Sequence, residues 1–147
     1  MKITRADFAD LETIWELQKL AYQSEALIND DWNIPPLTQS FEELCAEYDR
    51  RVFLKAVVSD HLVGSVRAHE NNYSCHIGRL IVHPEWQGRG IGTALMNEIE
   101  KQFSTVGYYE LFTGHKSERN IRLYEKLGYT IYQNQDNLVF MKKKNCI

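Results

Sequence analysis

The stretch Gln87-Gly88-Arg89-Gly90-Ile91-Gly92 joins a β-type run, residues 77–82, to a helical run that begins at Ile91. A glycine-rich joint that opens a helix can hold phosphate, because the first backbone N–H groups have no internal partner and the helix dipole adds partial positive charge. Two related motifs do not fit. A dinucleotide fingerprint needs glycine where Thr93 stands, and the Gly-Lys-Ser/Thr of a P-loop occurs nowhere. The stretch therefore predicts a strand, a phosphate-binding loop and a helix in succession.

Hydrophobic periodicity predicts the order β-α-α-β-β-β-α-β-α-β-β for the whole chain. Asp7 is a plausible N-cap for the first helix, the Pro-containing segment 29–37 reads as a loop, and Ser40 with Glu43 matches a capping box for the second helix. The predicted strands are 2–4, 52–58, 62–68, 73–82, 108–112, 130–133 and 138–142, and the later helices are 91–103 and 117–127. Residues 70–72 are expected to form the turn before the fourth strand. This order indicates an α+β fold, a mixed sheet in which three consecutive strands form an antiparallel meander.

Length and composition narrow the class of protein. A chain of 147 residues fits one domain, 1–147, and 44% hydrophobic with 25% charged residues is typical of a globular protein. A net charge of −3 gives no electrostatic case for nucleic acid. The sequence has no apolar run long enough for a membrane span and no signal-peptide core, so we expect a cytoplasmic protein without a membrane partner. Three cysteines and five histidines show no metal-ligand spacing, so we expect no metal.

Two motifs together resemble those of the GNAT-type N-acetyltransferase superfamily. The first is Gln-x-x-Gly-x-Gly, from Gln87 to Gly92, preceded by Leu80-Ile81-Val82 and His83-Pro84. The second is Asn120-x-x-x-Tyr124 followed by Gly128-Tyr129. The element order is also that of the GNAT fold. The resemblance implies a mostly antiparallel central sheet, splayed between strands 4 and 5, and acetyl-CoA as the acyl donor.

The resemblance also implies which residues bind the cofactor. Main-chain groups of the fourth strand, together with the side chain of Asn120, would bind the pantetheine arm of CoA. The glycine loop would bind the diphosphate of CoA, and nearby positively charged side chains suit its phosphates. The expected cofactor-binding residues are Leu80, Val82, Gln87, Gly88, Arg89, Gly90, Ile91, Gly92, Thr93, Asn120, Tyr124 and Lys126.

Acyl transfer to an amine needs a proton donor for the departing thiolate and a way to remove the proton of the amine. Tyr124 is the expected general acid, since a tyrosine with a pKa of about 10 is protonated at neutral pH. Counting eleven residues back from Gln87, where several GNAT members carry a glutamate base, gives His76. Glu70 is a second candidate for the base, and proton loss through water is a third possibility.

The acceptor site would lie in the loop between the first two helices, where the resembled family builds its variable substrate wall. Trp32, Asp30 and Asp31 are the candidates there; the two acids suit a cationic amine, or serve equally well as turn and cap residues. A ping-pong route through Cys75 is disfavoured, because a buried strand thiol is usually inert.

The predicted function is direct transfer of an acetyl group from acetyl-CoA to a primary amine of a small molecule or peptide, in a ternary complex. Two alternatives stay open: an acyl-CoA-binding or sensing module without turnover, and an acetyltransferase acting on protein N-termini or lysines. A homodimer is possible, since exposed edge strands permit one.

Overall fold

Residues 1–146, the part of the chain described by this computed structural model, form a seven-stranded mixed sheet in the order β1-β2-β3-β4-β5-β7-β6. The strands are β1 Lys2–Arg5, β2 Val52–Val58, β3 His61–Asn71, β4 Ser74–Val82, β5 Tyr108–Gly114, β6 Thr130–Gln135 and β7 Leu138–Lys144. The helices are α1 Leu11–Asn29, α2 Pro35–Thr38, α3 Phe41–Tyr48, α4 Ile91–Gln102 and α5 Glu118–Lys126. Neighbouring strands are antiparallel except for the parallel pair β4 and β5. The predicted α+β class and mostly antiparallel sheet are confirmed.

Two local predictions were wrong. The segment predicted as a loop contains the single helical turn α2, because Pro35 at its first position presets a helical φ and needs no N–H partner there. The turn predicted at residues 70–72 lies later, at Asn72 and Tyr73, whose φ angles are +51° and +63°. A two-residue turn of this hand matches the twist of the flanking strands, so β3 extends through Asn71 and Glu70 pairs with Cys75 inside the ladder.

The two faces of the sheet are covered by different helices. Gly64 on β3 lies under α4, and a Cβ placed on it would stand 3.0 Å from the Ile81 carbonyl oxygen and 3.0 Å from Leu95 Cδ1. Glycine accommodates that close approach without a shift of the neighbouring carbonyl or of α4. On the other face, Arg67 of β3 contacts α1 and α3, and Leu11 packs with Leu44 of α3. Within residues 1–146 no helix has the length and apolar character needed to cross a membrane.

Strand β4 separates from β5 after a short paired segment. Among the described residues, the parallel ladder joins only Ser74–His76 to residues 108–110. On its other side β4 carries a bulge, because Ser65 of β3 stands opposite Ile81 while Arg67 stands opposite Gly78. The extra residue is Arg79, whose φ of +52° is rare for a side-chain-bearing residue. The splay between strands 4 and 5 is therefore confirmed.

The face of the sheet that α1 and α3 cover contains a buried ion pair near this splay. Arg67 is 1% exposed and donates to Gln18 Oε1 at 2.9 Å, Gln39 Oε1 at 3.0 Å and Glu47 Oε2 at 3.0 Å. Burial lowers the pKa of Arg67 to about 10, against the opposing charge of Glu47. Burial raises the pKa of Glu47, but Arg67 and a hydrogen bond from Gln39 outweigh it and lower that pKa overall. The pair fixes α1 and α3 to β3.

Replacing Glu47→Gln should lower the free energy of unfolding by about 3 kcal/mol, because it leaves a buried guanidinium without a counter-charge. Urea unfolding followed by circular dichroism measures this change. The matched control is Glu42→Gln on the exposed side of α3, which should stay within about 0.5 kcal/mol of the parent. Equal stability of the two variants would show that Arg67 does not depend on the Glu47 charge.

Candidate functional site

A cleft of about 580 Å³, here called the larger cleft, opens where β4 has left β5, and this volume is in the range of small-molecule sites. Its walls come from the end of β4, the loop before α4 with the first turn of α4, one side of α5 along its length, and the second half of α1. The lining residues are Ala21, Tyr22, Ser24, Glu25, Ile28, Leu80, Ile81, Val82, Trp86, Gln87, Gly88, Gly90, Ile91, Gly92, Thr93, Ser117, Glu118, Arg119, Asn120, Arg122, Leu123 and Lys126. The structure thus brings together most of the cofactor residues expected from the sequence.

The glycine loop has left-handed backbone at two positions and leads directly into α4. Gly88 and Gly90 have φ angles of +77° and +80°, which residues with side chains rarely adopt, and a Cβ on either would meet nothing within 4 Å. Gly90 is the N-cap of α4, so the N–H groups of the first helical turn stand at the cleft wall. Arg89 lies outside the lining residues and stacks on Trp86, its Cζ 4.6 Å from the ring centroid.

Helix α5 supplies the opposite wall of the larger cleft and most of its positive charge. Arg119, Arg122 and Lys126 all line the cleft, and Arg119 Nη1 donates to Gln87 Oε1 at 2.6 Å. This hydrogen bond fixes the loop against α5. The sequence prediction favoured Arg89 and Lys126 among the basic residues. In the structure two arginines of α5 line the cleft and Arg89 does not.

The inner end of the larger cleft is polar and was missed in the sequence. Glu25 accepts hydrogen bonds from Ser117 Oγ and, at 3.1 Å, from Asn120 Nδ2, which ties α1 to α5. Tyr22 lines the cleft one turn earlier on α1, and burial raises its pKa. The available signal was a tyrosine on the apolar face of α1 followed three residues later by an acid.

Tyr124 lies beside this inner end rather than in the lining of the cleft. Its side chain is buried at 7% exposure and packs edge-on against Tyr129, with ring centroids 6.1 Å apart. Burial raises the pKa of Tyr124 well above its ordinary value, and the nearby Tyr22 and Glu25 add to that rise. The phenol is therefore protonated at neutral pH, as a proton donor must be.

A second opening of about 400 Å³, here called the smaller cavity, lies on the other side of the bulge. Strand β4 lines it with residues 76–79 and lines the larger cleft with residues 80–82, so the bulge divides the strand between the two spaces. The remaining lining residues are Glu47, Arg51, Arg67, His69, Glu110, Leu111, Phe112, Tyr132 and Phe140.

Two histidines and the carboxylate of Glu110 are among the titratable groups of the smaller cavity. His69 and His76 stack with ring centroids 5.3 Å apart, and burial, Arg51 and His76 lower the pKa of His69, which is neutral at pH 7. Glu110 accepts from Ser74 Oγ at 2.5 Å and Tyr132 Oη at 3.0 Å. Burial raises the pKa of Glu110, but these hydrogen bonds and nearby positive charge lower it overall, so Glu110 is a carboxylate.

Four residues proposed from the sequence lie away from both spaces. Glu70 is exposed near the end of β3, whereas His76 lines the smaller cavity. Asp30 ends α1 in a left-handed conformation, and the Asp31 carboxylate accepts from the Asn33 N–H at 2.9 Å. Trp32 is 54% exposed beside them. Turn and cap roles account for both acids.

The described part of the chain shows no metal-binding cluster, and the thiol of Cys75 on β4 is buried. Residues 1–146 contain no group of three or more His, Cys, Asp or Glu side chains placed to hold a metal ion. Cys75 is fully buried on β4, and burial raises the pKa of its thiol to about 12. At neutral pH Cys75 is a thiol rather than a nucleophilic thiolate.

Solved structures share this fold over nearly their whole length. The PaiA N-acetyltransferase from Thermoplasma acidophilum, in complex with coenzyme A, has a TM-score of 0.86 and 20% identity, covering 97% of this chain and 98% of its own. The protein yncA from Salmonella typhimurium, with its cofactor acetyl-CoA, has a TM-score of 0.79 and 19% identity, covering 100% and 95%. The ribosomal-protein-S18-alanine N-acetyltransferase from Escherichia coli has a TM-score of 0.81 and 15% identity, covering 99% and 94%.

Because these structures are only 15–20% identical to this chain, their likeness establishes the fold alone. The family is established by a match of the sequence to a family model. Residues 11–129 match the Acetyltransferase (GNAT) family, a span that includes the glycine loop, the splayed strand and all of α5. The chain therefore belongs to the GNAT family of acetyltransferases.

Proposed function

We propose that this protein transfers an acetyl group from acetyl-CoA to a primary amine of a small molecule or peptide, by direct attack in a ternary complex. The main support for this proposal is that β4 lines the larger cleft with residues 80–82 and the smaller cavity with residues 76–79. A thioester lying along residues 80–82 would have the larger cleft on one side and the smaller cavity immediately beyond Arg79. The bound coenzyme A and acetyl-CoA in two structures of the same fold support the choice of donor.

The donor would be held by the walls of the larger cleft. N–H groups of the glycine loop and of the first turn of α4 suit a diphosphate, and Arg119, Arg122 and Lys126 add charge. Main-chain groups of Leu80 and Val82, on the side of β4 that has left β5, suit the amides of the pantetheine arm. Asn120 lies at the inner end, where its side chain already donates to Glu25.

Acetyl-CoA supplies an activated carbonyl carbon in its thioester. The amine nitrogen forms the new C–N bond, the C–S bond breaks, and the sulfur leaves with the electron pair. Tyr124 gives its proton to that sulfur, and His76 takes the proton released by the amine. Cys75 takes no part, because its raised pKa keeps it a thiol, which favours direct attack over an acyl-enzyme.

Replacing Tyr124→Phe should lower kcat by about 100-fold, in the range typical of a lost general acid, and leave the Kd for CoA within about twofold. Release of the CoA thiol over a panel of amino acids, polyamines, aminoglycosides and peptides measures kcat, and calorimetry measures Kd. The exposed Tyr73, replaced by Phe, is the matched control and should behave as the parent.

Other results would select among the functions considered. CoA binding without thiol release on any acceptor would support a binding or sensing module. Turnover confined to the peptides would support a protein N-terminal or lysine acetyltransferase. An unchanged kcat in Tyr124→Phe would contradict the assigned proton donor.

Replacing His76→Gln should lower kcat by at least about tenfold, because the amine then loses the side chain that accepts its proton. The control is His61→Gln, since His61 is exposed at the start of β3 and lines neither space. Steady-state assays of both variants with the same acceptor test the role. Full activity in His76→Gln would assign the proton to water instead.

A further inference from the structure

We propose that the acceptor carries a carboxylate as well as its amine, together with an apolar side chain, and that Arg79 in the smaller cavity binds the carboxylate. This inference rests on the proposed function and names the chemical class of its acceptor. The shared chemistry is an aminocarboxylate, found in free amino acids and in short peptides.

Among residues 1–146, the side chain of Arg79 has no hydrogen-bond or ion-pair partner. It is half-buried and lines the smaller cavity, and the four ion pairs of the described chain all lie elsewhere. The other two arginines of the cavity, Arg51 and Arg67, are both paired with Glu47. Arg79 is therefore the guanidinium that remains available to an anionic ligand.

Unmet hydrogen-bonding capacity is concentrated around this cavity. In the described chain the buried side-chain nitrogens without a partner are Arg67 Nε, His69 Nδ1 and Arg79 Nε, and all three residues line the smaller cavity. Arg67 and His69 stand two residues apart on β3, beside the bulge that carries Arg79. Native interiors contain few such atoms, so their convergence marks a place built for a polar ligand group.

The charge of the cavity favours a carboxylate over a phosphate. Three arginines face two carboxylates, those of Glu47 and Glu110, which leaves one positive charge when the histidines are neutral. One surplus positive charge balances a monoanion, whereas a phosphate monoester carries nearly two negative charges at neutral pH.

The rest of the cavity suits the amine and an apolar side chain. His76 and Glu110 are direct partners across the last pair of the β4–β5 ladder, so a basic and an acidic group stand where the strands separate. Beside Glu110, Phe140 lies 5.5 Å from Phe112 and 6.3 Å from Tyr132, measured between ring centroids, and the Tyr132 hydroxyl donates to Glu110. The first two groups suit an amine, and the aromatic wall suits an apolar side chain.

Matched acceptor pairs that differ only in the carboxylate test the inference. The pairs are L-phenylalanine with phenethylamine and L-leucine with isoamylamine, and the dipeptide Phe-Ala separates a free amino acid from a peptide source. Thiol release with acetyl-CoA gives kcat/KM for each. The parent protein should prefer the acid of each pair by about tenfold or more, the value of one charge-assisted hydrogen bond.

Arg79→Gln should reduce kcat/KM for the acids by about ten- to 100-fold, mainly through KM, and leave the amines unchanged. Glutamine adopts the positive φ of this position no less readily than arginine, and Arg79→Lys should recover part of the preference because it restores the charge. The control is Arg5→Gln on β1, whose side chain donates hydrogen bonds to Gln102 and lines neither space.

Three results would overturn the inference: preference for the decarboxylated amines, an equal loss for both members of each pair in Arg79→Gln, or acetyl-CoA binding without turnover of any aminocarboxylate. Calorimetry with acetyl-CoA alone distinguishes a failure of carboxylate recognition by Arg79 from a failure of the proposed acetyl transfer. A protein that does not bind acetyl-CoA contradicts both proposals, whereas one that binds it and acetylates only amines without a carboxylate contradicts carboxylate recognition alone.

Discussion

The parting of β4 from β5 after three paired residues is the constraint on which the rest of the site depends. The backbone N–H and C=O groups of a strand in the middle of a sheet normally form hydrogen bonds with both neighbouring strands, so they are not available to bind a ligand. Here the bulge at Arg79 bends β4 away, and the freed side of the strand borders two spaces of different character. One is walled by a glycine loop and the basic residues of α5, the other by two histidines, three arginines and aromatic rings.

Contacts between distant segments hold this opening in shape. Glu25 joins α1 to α5 through Ser117 and Asn120, and the Arg67–Glu47 pair joins β3 to α3. The Glu25 contacts line the larger cleft, and the Arg67–Glu47 pair lines the smaller cavity. Apolar packing cannot hold the walls together at these open positions, so polar contacts do. The polar groups that support the walls are therefore close to those proposed to meet ligands, which explains why buried charge gathers around the splay.

The sequence predicted features that depend on local spacing and missed those that depend on contacts across the chain. The glycine loop and the Asn120–Tyr124 pair could be recognised because turn chemistry and helical periodicity are local. Glu25 was missed, since its partners Ser117 and Asn120 lie about 90 residues away in the chain and local spacing alone does not single it out. Arg79 was also missed, because an inserted residue at a bulge changes which side chains face which space, and alternation along a strand does not reveal where a bulge will form. Glu70 was assigned to a turn because it stands beside two asparagines in the sequence. The hairpin turn lies later in the chain, at Asn72 and Tyr73, because pairing with β4 extends β3 through Asn71.

Backbone amide chemical shifts in ¹⁵N-labelled protein titrated with CoA test whether the splayed strand and the glycine loop bind the donor. If main-chain groups of the splayed strand and the glycine loop bind the donor, saturable shifts should appear at the amides of residues 80–82 and 88–93. The amides of β6, on the far edge of the sheet, should stay unmoved. Saturable binding that leaves residues 80–82 and 88–93 unperturbed would contradict the account, as would the absence of any shift at millimolar CoA.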